Sequence, residues 1–143
     1  MDCISATAAL QLPVEDHGAA LGRPTDILID VVTWNVLGFV VHCADESNRF
    51  LPFAASQLSS SSIVVGSALI LLDDVSFYER RSVSYRALLG RDVTRDGRSA
   101  GILRDVVLGS DGAVHFLELD RGALRRRIPA AGSTVNHTRA SAA

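Results

Sequence analysis

Ile27-Leu28-Ile29-Asp30-Val31-Val32 and, much later, Ile102-Leu103-Arg104-Asp105-Val106-Val107 decide how this chain reads. Each run is short, rich in β-branched residues and interrupted by an aspartate at the same place. Runs of that length and composition suit strands, not helices. Around the first lie Val36-Leu37-Gly38-Phe39-Val40-Val41 and Arg49-Phe50-Leu51. Ile63-Val64-Val65 and Ala68 to Leu72 give one further strand or two. Thr33-Trp34-Asn35 reads as a turn with Asn35 accepting left-handed backbone, and Ala44 to Asn48 as a solvated loop. The expectation is an all-β chain.

The recurrence extends beyond this one pair. Leu21-Gly22-Arg23 returns as Leu89-Gly90-Arg91, and Arg49-Phe50-Leu51-Pro52-Phe53-Ala54 returns as Arg126-Arg127-Ile128-Pro129-Ala130-Ala131. Three collinear blocks point to two diverged copies of one module. The second copy carries an insertion around Thr94-Arg95-Asp96-Gly97-Arg98, where Asp-Gly marks a tight hairpin. The first copy shows only Pro24-Thr25-Asp26 there, yet runs on past Pro52 into Ile63 to Leu72. Each copy then lacks strands that the other supplies, and an open edge invites pairing with the sister copy or with another chain. Pro52 and Pro129 fit strand ends, where a missing N–H does no harm. Between the copies, Tyr78, Tyr85 and Leu88 fall at helical spacing. Asp73 and Asp74 suit the start of a connecting helix over Val75–Leu88, and Gly90 its end.

These motifs resemble the PRC-barrel family. The likeness is clearest in Leu88-Leu89-Gly90-Arg91-Asp92-Val93, Asp96-Gly97, Gly101 to Val107 and Arg127-Ile128-Pro129, and looser in Gly38-Phe39-Val40 and Phe50-Leu51-Pro52-Phe53. It implies two small antiparallel PRC-barrel-like β modules joined by a short helix, and a role in interaction or assembly. The expected order is a leader segment over residues 1–20 and a first module over 21–74. A connecting helix over 75–88, a second module over 89–137 and a flexible tail over 138–143 follow.

Composition bounds the function. With 143 residues, 48% hydrophobic and 21% charged, the chain reads as globular. All 14 basic residues are arginine. The first 74 residues set two arginines against nine carboxylates, and the remainder twelve arginines against seven. An acidic and a basic half point to self-association or to an anionic partner for the second half. Cys3 and Cys43 make neither a disulfide framework nor a metal set, and Cys43 reads as a buried small hydrophobe. The Ile63–Leu72 run is too short to span a bilayer, and no secretory leader is visible, so a cytoplasmic location is expected.

Candidate chemistry is sparse. His17, His42, His115 and His137 are scattered; His42 and His115 meet only if the modules pack them together. Asp30 and Asp105 read as hydrogen-bonded structural groups. Ser59 to Ser62 is a loop without a nucleophile elbow, Gly109-Ser110-Asp111-Gly112 a hairpin turn, and Asn136-His137-Thr138 a coincidental glycosylation motif. The one binding candidate is Arg125-Arg126-Arg127 with Arg121 nearby, a patch for phosphate or carboxylate. The alternative is an edge strand defended by charge. The resulting expectation is a non-enzymatic interaction or assembly protein without metal or cofactor, homodimeric or bound to a protein partner. The alternative is an RNA- or ribosome-associated factor using the Arg-rich half.

Overall fold

The computed structural model describes residues 3–136, of which most are strand, arranged as two sheets with one curled into a half-barrel. The first module contributes β2 (Val14–Asp16), β3 (Ala19–Asp30), β4 (Asn35–Cys43), β5 (Asn48–Pro52), β6 (Ser56–Leu58) and β7 (Ile63–Val65), in the order β5-β4-β3-β2-β7-β6. The second contributes β9 (Asp92–Arg95), β10 (Arg98–Gly109), β11 (Val114–Arg121), β12 (Leu124–Pro129) and β13 (Ser133–Val135), in the order β12-β11-β10-β9-β13. All pairings are antiparallel except β2 with β7. The expected all-β architecture stands.

Both copies begin with the same hairpin, which corrects the expectation that the first lacks one. β2 and β3 turn through His17-Gly18 (φ 50° and 82°), β9 and β10 through Asp96-Gly97 (φ 55° and 75°). Two successive residues at positive φ suit the right-handed twist of the flanking strands. His17 can take that conformation, so the turn needs no Asn-Gly or Asp-Gly signature. In the next turn the left-handed residue is Trp34 (φ 57°), where Asn35 was expected.

The register of the repeat also differs from the expected one. A bulge between Pro24 and Asp26 on β3 matches a bulge between Leu103 and Asp105 on β10, and the pairing onward runs in step. Asp105 therefore stands where Asp26 does, not where Asp30 does, and Val106-Val107-Leu108 match Ile27-Leu28-Ile29. The Leu21-Gly22-Arg23 block likewise lies inside β3, whereas Leu89-Gly90-Arg91 precedes β9. The third block stands as expected: Leu51 and Pro52 pair with Phe39 and Gly38 as Ile128 and Pro129 pair with Leu117 and Phe116.

Residues 3–20, expected to be a leader, are built into the fold. β1 (Cys3–Ser5) and α1 (Ala6–Ala9) form an arm, and β1 pairs with Val107 to Gly109 of β10. The stretch expected as one connecting helix is two short helices around a strand: α2 (Val75–Glu79), β8 (Val83–Ser84) and α3 (Tyr85–Leu88). β8 with α3 is a second arm, and it pairs with Leu28 and Ile29 of β3. Each module thus lends its arm to the other. The reason lies in strand length: β2 and β9 are shorter than β3 and β10, leaving the far end of each long strand an open edge. Ser5 and Ser84 cap α1 and α3 identically, accepting from Ala8 N–H at 3.1 Å and Ala87 N–H at 3.3 Å.

The two equivalent aspartates hold the exchanged arms. Asp26 Oδ1 accepts from Ile27 N–H at 2.8 Å and from Arg86 N–H of the second arm at 3.2 Å, while Oδ2 accepts from Ser84 Oγ. Asp105 Oδ1 accepts from Val106 N–H at 2.8 Å, from Thr7 N–H of the first arm at 3.4 Å and from the Tyr85 hydroxyl at 2.8 Å. Tyr85 Oη also meets Thr7 Oγ1 at 3.1 Å, tying one arm to the other.

The modules meet on an approximate two-fold axis. Asn35 and Ala113, equivalent residues, form an antiparallel bridge, with Val36 N–H donating to Gly112 C=O and Val114 N–H to Trp34 C=O, both at 2.7 Å. Trp34 is buried and its Nε1 donates to Ser133 C=O at 3.1 Å. One hydrophobic core runs through both modules. Leu28, Leu103 and Val106 lie buried; Val31 packs at the margin and Val32 is exposed. The chain beyond Pro129 forms β13 against β9. The expected tail over 138–143 and the Asn136-His137-Thr138 motif extend outside the described residues.

Candidate functional site

The arginine cluster lies on the β11–β12 hairpin, whose turn is Gly122-Ala123. Side chains alternate along a strand, so the cluster divides between two faces. Arg125 and Arg127 stand beside Asp120 and Glu118 on the outer face. Arg125 Nε donates to Asp120 Oδ1 and Arg104 Nε to Asp120 Oδ2, each at 2.6 Å. Arg127 Nη2 donates to Glu118 Oε1 at 3.0 Å, and its guanidinium lies 5.5 Å from the Phe116 ring centroid. Partial burial pushes the Asp120 carboxyl up, but the hydrogen bonds and charges of Arg104 and Arg125 outweigh this and hold it below the usual carboxylate range. On this face each of these arginines already has a carboxylate partner.

The other face is different. Leu124, Arg126 and Ile128 alternate toward the core side, with Ile128 buried over the barrel and Leu124 74% exposed. Arg126 and Arg121 are exposed and make no ion pair among the described residues. The structure therefore splits the four candidate arginines into two that are tied down and two that are available.

β12 is also the outer strand of its sheet. The hairpin register puts Arg121/Leu124 and Leu119/Arg126 at bonded positions, so the N–H and C=O of Arg125 and Arg127 point away from β11. Among the described residues no segment pairs with that edge.

In the first module the same edge is covered. Phe50 of β5 occupies the register position of Arg127, and it exchanges two 2.8 Å backbone hydrogen bonds with Leu72. Tyr78 of α2 stacks on Phe50 with ring centroids 3.9 Å apart, leaving Phe50 fully buried. Arg49, equivalent to Arg126, donates from Nη1 to Asp73 Oδ1 at 2.5 Å. Leu71, just before this bridge, is buried. A single stretch, Leu71-Leu72-Asp73, thus supplies an apolar anchor, a strand bridge and a carboxylate.

The remaining candidates stay apart. His42 bonds Asn48 and Glu46, and those bonds, Asn48 first, raise its pKa. His115 bonds Asp111, holding that carboxyl low. The two histidines are engaged separately, and His137 lies outside the described residues. Asp30 caps its own turn, accepting from Val32 N–H at 2.9 Å. Cys43 is buried, and burial pushes its thiol up. Ser59 Oγ is occupied with Ser62. Among the described residues no three histidine, cysteine or acidic side chains cluster as metal ligands, and no helix is long and apolar enough to cross a membrane.

Sequence reasoning found the arginines but missed Leu72, Asp73 and Asp26. The signal for Asp26 was present: Gly18, Gly22 and Asp26 recur as Gly97, Gly101 and Asp105 at one constant offset. No protein-family model matches the chain, and the search of curated proteins finds no match.

Proposed function

We propose that this chain is a PRC-barrel-like interaction module that docks a protein partner on the β12 edge of its second module, and that it is not an enzyme. The observation that carries this reading is the combination at β12: outward backbone groups at Arg125 and Arg127, an exposed Leu124, and an unpaired Arg126. An open sheet edge presents unpaired N–H and C=O groups that template pairing with another chain. The RNA-binding alternative draws less support, because Arg125 and Arg127 are matched by Asp120 and Glu118, and Arg127 lies over the nearby ring of Phe116. Stacking platforms for bases need open aromatic faces.

The test is a quantitative pull-down from the native cell, comparing wild type with Leu124→Asp and Arg126→Glu. Both side chains are exposed, so both variants should fold, as circular dichroism will check. A protein retained by wild type and lost from both variants is the expected result. Capture indifferent to the two variants would refute this surface. Binding of RNA that weakens steeply with salt and with Arg126→Glu would favour the alternative.

A further inference from the structure

From the first module's own edge we infer that β12 takes an extended segment of a partner protein in which an apolar residue is followed directly by a carboxylate. This inference rests on the interaction reading above and adds the chemistry of the occupant.

The argument is one of equivalence inside a single chain. β5 and β12 are the same strand in two copies, aligned by Leu51-Pro52 and Ile128-Pro129. At β5 an arginine, Arg49, is followed by a residue whose N–H and C=O point outward. Leu72 bridges those groups, and Asp73 reaches the arginine. At β12 the arginine persists as Arg126 and the outward groups persist on Arg127. Among the described residues the bridging segment has no counterpart: Pro129 leads by a short turn into β13, and nothing described pairs with the free edge of β12. Among the described residues the site thus keeps its receiving half without its inserted half. One change is informative. Phe50 is replaced by Arg127, whose side chain is held by Glu118, so the aromatic lid of Tyr78 is not reproduced and selectivity falls on Arg126 and the backbone.

Charge chooses between occupants. A second copy pairing antiparallel through the same edge would set Arg125-Arg126-Arg127 against itself, and like charges facing across a ladder are unfavourable. A segment with an aspartate or glutamate beside its bridging residue meets Arg126 with opposite charge, and Arg pairs carboxylate bidentately. Adding a strand to an exposed edge gives affinity through the main chain and specificity through alternate side chains.

The experiment uses the full chain and a fluorescein-labelled decapeptide of its own residues 67–76, Ser-Ala-Leu-Ile-Leu-Leu-Asp-Asp-Val-Ser. Anisotropy should show saturable binding, and amide exchange should slow at Arg127. N-methylation of the peptide at its Leu72 removes the N–H that would donate to Arg127 C=O. Replacing its Asp73 with Lys opposes Arg126. Each change leaves the protein untouched and should weaken binding at least tenfold, and Arg126→Glu should restore part of the Lys peptide's loss.

Absent binding, binding indifferent to both peptide changes, or protection appearing at Phe50 would each overturn the inference. A salt-sensitive dimer dissolved by Arg126→Glu would assign the edge to a second copy and overturn it too. If the peptide fails while Leu124→Asp and Arg126→Glu still lose a cellular partner, the interaction reading survives and only this occupant falls.

Discussion

Replacing Asp105 with alanine tests the exchange of arms directly. Its carboxylate accepts two short hydrogen bonds, from Val106 N–H and the Tyr85 hydroxyl at 2.8 Å each, and a longer one from Thr7 N–H at 3.4 Å. A hydrogen bond to a charged group contributes about 1.5–3 kcal/mol, and a buried donor left unsatisfied costs about 1–3 kcal/mol. Tyr85 is 2% exposed but keeps Thr7 Oγ1 as a partner, so its loss is partial. The Val106 N–H, on a buried strand beside the bulge, loses its Asp105 acceptor. Together these give a loss of about 3 kcal/mol, and at about 2–4 °C per kcal/mol a fall in Tm of roughly 10 °C. Asp105→Asn keeps an acceptor oxygen and should cost about 1 kcal/mol.

Urea unfolding followed by fluorescence measures this well, because Trp34 is the only tryptophan and sits where the modules meet. Asp26→Ala should match Asp105→Ala, since Asp26 holds the other arm in the same way. Asp30→Ala, confined to its own turn, should cost about 1 kcal/mol or less. A loss under 1 kcal/mol for Asp105→Ala, or Asn as damaging as Ala, would refute the locking role.

Burial, joined by the bond to Asp105, pushes the Tyr85 hydroxyl from 10.0 up to about 12. The folded state then holds this proton more tightly than the unfolded chain. Stability present below pH 10 should decline as pH rises toward about 12, and Tyr85→Phe should flatten that decline in urea midpoints. Gly22→Ala should destabilise by about 1–3 kcal/mol, because a Cβ there would lie 2.4 Å from His42 O and 2.9 Å from Cys43 Cα. Gly66→Ala, with open space around it, is the control and should change the urea midpoint little. Expressed separately, residues 1–74 and 75–143 should each fail to unfold cooperatively as monomers and should recover cooperativity when mixed, as sedimentation and calorimetry will show.

The β content, the duplication and the β5–β12 equivalence were all legible in the sequence, because the spacing from arginine to proline and the apolar residue before each proline, Leu51 and Ile128, survive in both copies. The register of the Ile27 and Ile102 runs was not. Strand side chains alternate with a period of two, so sliding one apolar run along another by four residues preserves which positions face inward. Only the glycine-glycine-aspartate chain breaks that ambiguity, and it contains no apolar residue. The exchange of arms was expected in kind but not in its elements. Leu28-Ile29 and Val107-Leu108 are chemically alike, so nothing in an arm's composition says which copy it joins. Arg125 and Arg127 were visible as a cluster, but their partners Glu118 and Asp120 emerge only once the Gly122-Ala123 turn sets the hairpin register.

The exchanged arms also impose a timetable on synthesis. Thr7 and its acceptor Asp105 are 98 residues apart, and Cys3–Ser5 pairs with Val107 to Gly109. At about 5–20 residues per second on the ribosome, the first arm waits roughly 5–20 s for its strand to be made. The second arm has no such delay, since β3 exists before it emerges. Meanwhile the buried faces of Ala6 and Ala9 stay uncovered on the nascent chain. The first arm therefore docks long after it is made.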